Sequence, residues 1–194
     1  ETNGQAILPT PAIGGVGLLD DVQQNMTSAF KETGEAILLI GETHGHLGAS
    51  LYAREILQDE TGAPPSVDLA AEKRHGEFVR TLITKSQLTA CHDISDGGLL
   101  IAIAEMALAS NIGAALTDNN DASYYFGEDQ ARYIVTCSSD EADTIIAQAQ
   151  STNVPCQMIG TTGGDVISVA GNGLTSLSAL AELHESWLPH YMSH

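Results

Sequence analysis

The stretch AILLIGETHGHLGASL, residues 36–51, decides the fold. Ala36–Ile40 is an unbroken apolar run opened by Gly34-Glu35. Its length and its flanking glycine fit a buried strand. Gly41-Glu42-Thr43-His44-Gly45-His46-Leu47-Gly48 then reads as a Gly-rich loop. Ala49–Leu57 reads as a helix with apolar Leu51, Ile56 and Leu57. The strand–loop–helix unit places the loop where exposed N–H groups can hold a phosphate. The loop matches neither G-x-G-x-x-G nor a Walker A sequence. The competing reading is a tight strand–helix turn with exposed histidines. His44 and His46 at i, i+2 lack nominated partners for a metal.

Upstream, residues 5–19 mix two prolines and three glycines with apolar residues. A short strand is expected at Gln5–Leu8 and a second extended piece at Ile13–Leu18. Pro and Gly there favour a crossing segment, and its apolar character marks a connector between packed units. Downstream, Gly62-Ala63-Pro64-Pro65 is a break. Val67–Leu88 reads as a helix on its near-3.6 apolar period. Thr89–Ile94 reads as a strand, and Leu99–Ala109 as a helix buried nearly all round. Ile112–Leu116 is a strand, and Asp118–Tyr125 a polar loop. Arg132–Cys137 is a strand and Ser138–Ser151 an acidic helix. Val154–Ile159 and Val166–Val169 read as a hairpin, followed by a closing helix at Leu174–Leu188. Strands and helices alternate without a strict βαβ series. The fold class is therefore α+β, a mixed sheet with helices on its faces.

The chain has 194 residues, with 7 Lys plus Arg against 25 Asp plus Glu, a net charge of −18. Such a length gives one domain with a sizeable core. With 43 % apolar residues and 16 % charged, the composition excludes disorder. The charge argues against nucleic acid and against anionic membrane surfaces as partners. No run approaches the ~20 apolar residues of a membrane span. Cys91, Cys137 and Cys156 each sit in apolar surroundings with no C-x-x-C pair. They read as reduced core thiols suited to a cytoplasmic location. Glu1-Thr2-Asn3-Gly4 has no signal-peptide character, and a fragment of a longer chain is expected.

The second chemical candidate is Cys91–Gly98, CHDISDGG. Asp93 ends a strand, and Ser95 and Asp96 precede a helix. A carboxylate there suits Mg²⁺, and the Ser95 hydroxyl beside a helix N-terminus suits a phosphate. Helix capping explains one of Ser95 and Asp96. It leaves Asp93 and Gly97-Gly98 together unexplained. The stretch Asp118–Ser123 fails the EF-hand pattern at its sixth and twelfth positions and reads as a surface turn. Trp187 and Tyr191 read as docking residues, since no basic residue flanks them as a nucleic-acid stacking platform would need.

The motifs are more specific as an ordered set: ILPTPAIGGVGLLDD, LLIGETHGHLGASLYAREIL, ACHDISDGGLLIAIAEMA, FGEDQARYIVT and IGTTGGD. Together they resemble the C-terminal part of the phosphoribosylformylglycinamidine synthase family over nearly the whole chain. The resemblance implies a three-layer α/β/α sandwich like the C-terminal domain of AIR synthase. It implies a role in ATP-dependent amidation of formylglycinamide ribonucleotide in purine synthesis. Residues 1–33 would be the tail of a preceding central domain with a connector, and 34–194 the AIR-synthase-C-like domain. No catalytic residue is implied here, because the family's catalytic histidine and main ATP pocket match nothing in this stretch. An auxiliary site is implied, with Mg²⁺ on Asp93 and ATP or ADP at Ser95, Gly97 and Gly98. Implied partners are the rest of the synthetase chain, a glutaminase subunit and a small accessory subunit. Two other readings stand beside this one. One is a non-catalytic nucleotide-binding or scaffold domain. The other is a relative of selenophosphate synthetase or thiamine-monophosphate kinase, against which FGEDQARY tells.

Overall fold

The computed structural model describes residues 4, 6, 12–117, 120–170 and 172–193. Strands are β1 (Ala36–Ile40), β2 (Ala90–Asp93), β3 (Ala114–Leu116), β4 (Tyr133–Cys137), β5 (Cys156–Thr162), β6 (Val166–Val169) and β7 (Asn172–Ser176). Helices are α1 (Leu51–Glu55), α2 (Leu69–Thr84), α3 (Gly98–Ser110), α4 (Ala122–Phe126), α5 (Ala142–Ser151) and α6 (Leu177–Met192). All the strands join one sheet in the order β2-β4-β1-β5-β3-β6-β7. Its pairings are antiparallel except for β3 with β6.

The run at residues 36–40 does form a strand, and all five residues are buried. Side chains alternate across a strand, so the run feeds both faces. Ile37 and Leu39 join Leu99, Ile103 and Met106 of α3, Tyr125 of α4 and Leu177 of α6 in one core. Ala36, Leu38 and Ile40 join Phe78 and Leu82 of α2 and Ile145 and Ala149 of α5 in the other. Helices therefore cover both faces, and the three-layer α+β sandwich with a mixed sheet is realised.

Several elements differ from expectation for local reasons. The helix expected at 67–88 spans 69–84, because the Asp68 carboxylate accepts from Ala70 and Ala71 N–H at 2.9 and 3.1 Å and fixes the start. α1 is confined to 51–55, starting at the Ser50 cap, and leaves Ile56 and Leu57 exposed. α3 is not buried all round: Ile101, Glu105 and Ala109 face solvent. The polar loop at 118–125 contains α4, capped by Asp121, whose carboxylate accepts from Tyr124 N–H at 3.0 Å. Asp118 and Asn119 lie outside the described residues. The strand expected at 5–8 also lies outside them, apart from Ala6. Residues 13–18 form no strand and are exposed.

The largest correction concerns the expected hairpin of residues 154–159 with 166–169. β5 and β6 do not pair, because β3 lies between them. Gly113 makes that insertion possible. A Cβ there would stand 2.4 Å from the Val166 carbonyl oxygen and 2.8 Å from that of Gly163. Gly113 instead exchanges 2.8 Å backbone bonds with Gly163 and Gly164. The true hairpin is β6–β7, with β7 occupying residues expected to open the closing helix. α6 starts only at Leu177, where Ser176 caps Ala179 N–H at 3.2 Å. Leu177 is buried, but from Glu182 onward every described residue of α6 is exposed. No helix among the described residues is long and apolar enough to cross a membrane.

Candidate nucleotide and metal site

β2 is an edge strand and delivers Asp93 to its C-terminal end, where the side chain is 67 % exposed. His92 stands beside it. Its Nδ1 lies 3.4 Å from Asp93 Oδ1 and 2.6 Å from the Asp93 carbonyl oxygen, and its Nε2 lies 3.3 Å from Glu105 Oε2. Ser95 and Asp96 are exposed, and neither side chain caps α3. Gly97 is the N-cap in the left-handed region at φ 82°. Its N–H donates to Glu128 Oε1 at 2.8 Å. The same oxygen accepts the Leu51 N–H at 2.9 Å, at the start of α1. One carboxylate from the FGEDQAR string thus holds the N-terminal turns of two helices. An anion at such an end satisfies orphan donors and opposes the helix dipole.

Gly98 lets that string approach. At φ +77°, its Cβ would stand 2.7 Å from the Phe126 carbonyl carbon and 2.8 Å from the Gly127 oxygen. Gly98, one of the paired glycines that capping left unexplained, thus has a packing reason in the close passage of backbone at 126–127, whereas a Cβ on Gly97 would meet the Ile101 side chain at 2.7 Å.

The loop at 41–48 has the open N–H groups that its composition suggested, but a neighbouring side chain occupies them. Asp129 Oδ2 accepts from His44 and Gly45 N–H at 2.9 Å each, and Oδ1 accepts from His46 N–H at 3.3 Å. The carboxylate stands where a phosphate would. Arg132, 1 % exposed, sits behind it. Its guanidinium donates to the Asp129 carbonyl at 3.1 Å, to Thr43 Oγ1 at 3.2 Å and to the Gly127 carbonyl. Burial lowers the Arg132 pKa, and the Asp129 charge opposes that shift. Glu72 of α2 accepts the Ala131 N–H at 2.9 Å, and His75 Nδ1 meets the Ala131 carbonyl at 2.8 Å. A carbonyl is an acceptor, so that nitrogen carries the proton. Around these groups lies a cleft of about 800 Å³, bordered by His44, His46, Asp68, Arg74 and Gln130.

Sequence reasoning therefore missed the residues that organise both loops, Glu128 and Asp129. Their signal was two adjacent carboxylates just before an arginine that leads into an apolar strand. The expected site residues Asp93, Ser95, Gly97 and Gly98 do come together in one turn between β2 and α3. That turn fits a hard cation in part. Asp93 offers an exposed carboxylate, but no group of three His, Cys, Asp or Glu converges among the described residues. Mg²⁺ commonly takes one or two carboxylates, keeps several waters and uses phosphate oxygens, which suits this donor set. Cys91, Cys137 and Cys156 are free thiols that burial pushes up to about 11, 11 and 12. They are poor nucleophiles, in line with core packing.

The chain is 58 % identical over 196 residues to phosphoribosylformylglycinamidine synthase subunit PurL of Bradyrhizobium diazoefficiens, covering 99 % of this chain and 27 % of that protein. It is 54 % identical over 197 residues to the PurL subunit of Rhodopseudomonas palustris, covering 100 % of this chain and 27 % of the relative. The chain thus spans about a quarter of the length of these curated relatives. Among solved structures, T. maritima PurL complexed with FGAR superposes with a TM-score of 0.69 at 19 % identity, over 82 % of this chain and 30 % of that one. T. maritima PurL complexed with ATP gives 0.66 at 18 %, over 82 % and 28 %. A thiamine-monophosphate kinase from Stenotrophomonas maltophilia gives 0.51 at 21 %, over 78 % and 54 %. At these identities the structures establish the shared fold. A family model described as "AIR synthase related protein, C-terminal domain" matches residues 32–171. The chain, with its two-faced mixed sheet and its paired Gly-rich loops, belongs to the AIR synthase related protein, C-terminal domain family.

Proposed function

We propose that this chain is the C-terminal domain of a phosphoribosylformylglycinamidine synthase. It would serve ATP-dependent amidation of formylglycinamide ribonucleotide in purine biosynthesis. The observation that carries this reading is the 58 % identity to a PurL subunit over 99 % of the chain. Residues 1–33 act as connector and tail of a preceding domain, and 34–194 as the domain proper. The family match beginning at residue 32 supports that boundary. Partners are the rest of the synthetase chain, a glutaminase subunit and a small accessory subunit, in the cytoplasm. The structure of PurLQS from Thermotoga maritima shares the fold at a TM-score of 0.64, and the assembly follows by that analogy.

Within this domain Asp93 would ligate Mg²⁺. Ser95 would donate its hydroxyl to a nucleotide phosphate, and Gly97-Gly98 would bring the start of α3 close. Mg²⁺ at this place supplies charge neutralisation for phosphate oxygens. Arg132, the basic residue of the FGEDQARY string, is consumed by internal carbonyls. A cation at Asp93 would supply positive charge beside the phosphate. Titration calorimetry with Mg·ADP tests this. Binding by the wild type that is lost in Asp93→Ala supports the site. Absence of binding by both leaves the scaffold role, in which the domain braces its neighbours. The isolated 194-residue chain is expected to form no amidine product. Turnover by a preparation free of contaminating enzyme would overturn the assignment of chemistry to the remainder of the protein.

A further inference from the structure

Helix α6 begins inside the domain and ends outside it. Leu177 is 2 % exposed and Leu180 packs on the same core. Trp187 lies seven residues beyond Leu180, Tyr191 eleven beyond it and Leu188 eleven beyond Leu177. Such spacings return to the same side of a helix. The face that packs at the start therefore continues bare. Leu183, Trp187, Leu188, Tyr191 and Met192 are 72, 65, 57, 65 and 72 % exposed. The Trp187 and Tyr191 rings stack on each other at 5.3 Å. A helix that buried only its first turns would gain nothing from extending its apolar stripe into water.

We infer that the outer half of α6 is an intramolecular docking face, covered by another part of the same polypeptide in a chain of the relatives' length. Three observations select this occupant. The family match ends at residue 171, whereas the PurL relatives, nearly four times as long, align over 99–100 % of this chain, α6 included. The helix thus lies beyond the stretch matched by the family model and within the stretch shared with the longer relatives. The size of the patch also discriminates. Five such side chains offer on the order of 500 Å². A separate partner held stably needs about 800 Å² from each side. A tethered segment, at an effective concentration of order millimolar, needs much less. Charge disfavours a second copy. The charged side chains of α6 are Glu182 and Glu185, and no Lys or Arg follows Arg132 in a chain of net charge −18. The occupant is therefore an apolar surface rimmed by Lys or Arg. The inference does not depend on the nucleotide site proposed above.

Hydrogen exchange read by mass spectrometry on the full-length polypeptide tests it. Peptides from residues 183–193 are expected to be protected at all protein concentrations. They should exchange at least about tenfold faster in the double variant Leu183→Asp, Trp187→Asp, while peptides from β1 and β5 stay unchanged. If that variant misfolds, wild-type protection across a dilution series carries the test alone. Exchange at the rate of a free helix in the wild type overturns the inference. So does protection that grows with protein concentration, which would mean a second copy. Protection that appears only when a separate subunit is added overturns it as well.

Discussion

Asp129 accepts three successive backbone N–H groups, and Glu128 beside it accepts two from different helices. Bonds to a charged acceptor contribute more than neutral ones, roughly 1.5–3 kcal/mol each. Asp129→Asn keeps the shape but offers one acceptor oxygen and no charge. It is expected to lower stability by about 2 kcal/mol, read as a shift in the urea midpoint with unchanged slope. The buried thiols give a second expectation at this scale. With pKa values raised to about 11–12 by burial, they bind protons where unfolded thiols release them. Folded-state pKa values above the unfolded ones contribute stability that is present below the unfolded thiol range and lost as pH rises through the raised values. At pH 8, a disulfide reagent should modify the folded chain slowly and all three thiols promptly in denaturant. A fast native reaction at the fully buried Cys137 would contradict the packing.

At the scale of elements, α3 docks through Gly98. Gly98→Ala combines a positive φ with a Cβ driven into the backbone at 126–127. It is expected to cost several kcal/mol and to disturb both Gly-rich loops, visible as loss of amide dispersion for residues 44–46. α2 offers a pH reading. Bonds from Ala71 and Ala70 hold the Asp68 carboxyl below its ordinary range. A depressed carboxylate contributes above its unfolded pKa, and the contribution is lost as pH falls through the folded value. The Ala70 and Ala71 amide shifts should therefore titrate with a midpoint below that of a free aspartate. What the sequence displayed at this scale were runs and punctuation. Ala36–Ile40, the two Gly-rich loops and α2 were visible because each is a local pattern. The caps by Glu128 and Asp129 were hidden, because a carboxylate does not announce which distant amide it will meet. The pairing of β5 with β3 was hidden for a related reason: Gly163-Gly164 looks like a hairpin turn until another strand is placed between its arms.

At the scale of the whole molecule, a charge of −18 is spread over a domain with only seven Lys and Arg. Its self-repulsion is screened by salt within about 10 Å at 0.1 M. The melting temperature should rise by a few degrees between about 10 and 300 mM NaCl, measured calorimetrically. A fall would mean that attractive pairs dominate. The topology has a further consequence. β1, buried on both faces, pairs with β4 and β5, whose residues begin at 133 and 156. A ribosome adding about 5–20 residues per second therefore delivers the most apolar strand many seconds before either partner exists. Until then AILLI is an unpaired edge on a nascent chain. In the cell this domain should depend on trigger-factor-like shielding during synthesis, and translation arrested before residue 133 should yield aggregate rather than a partial fold.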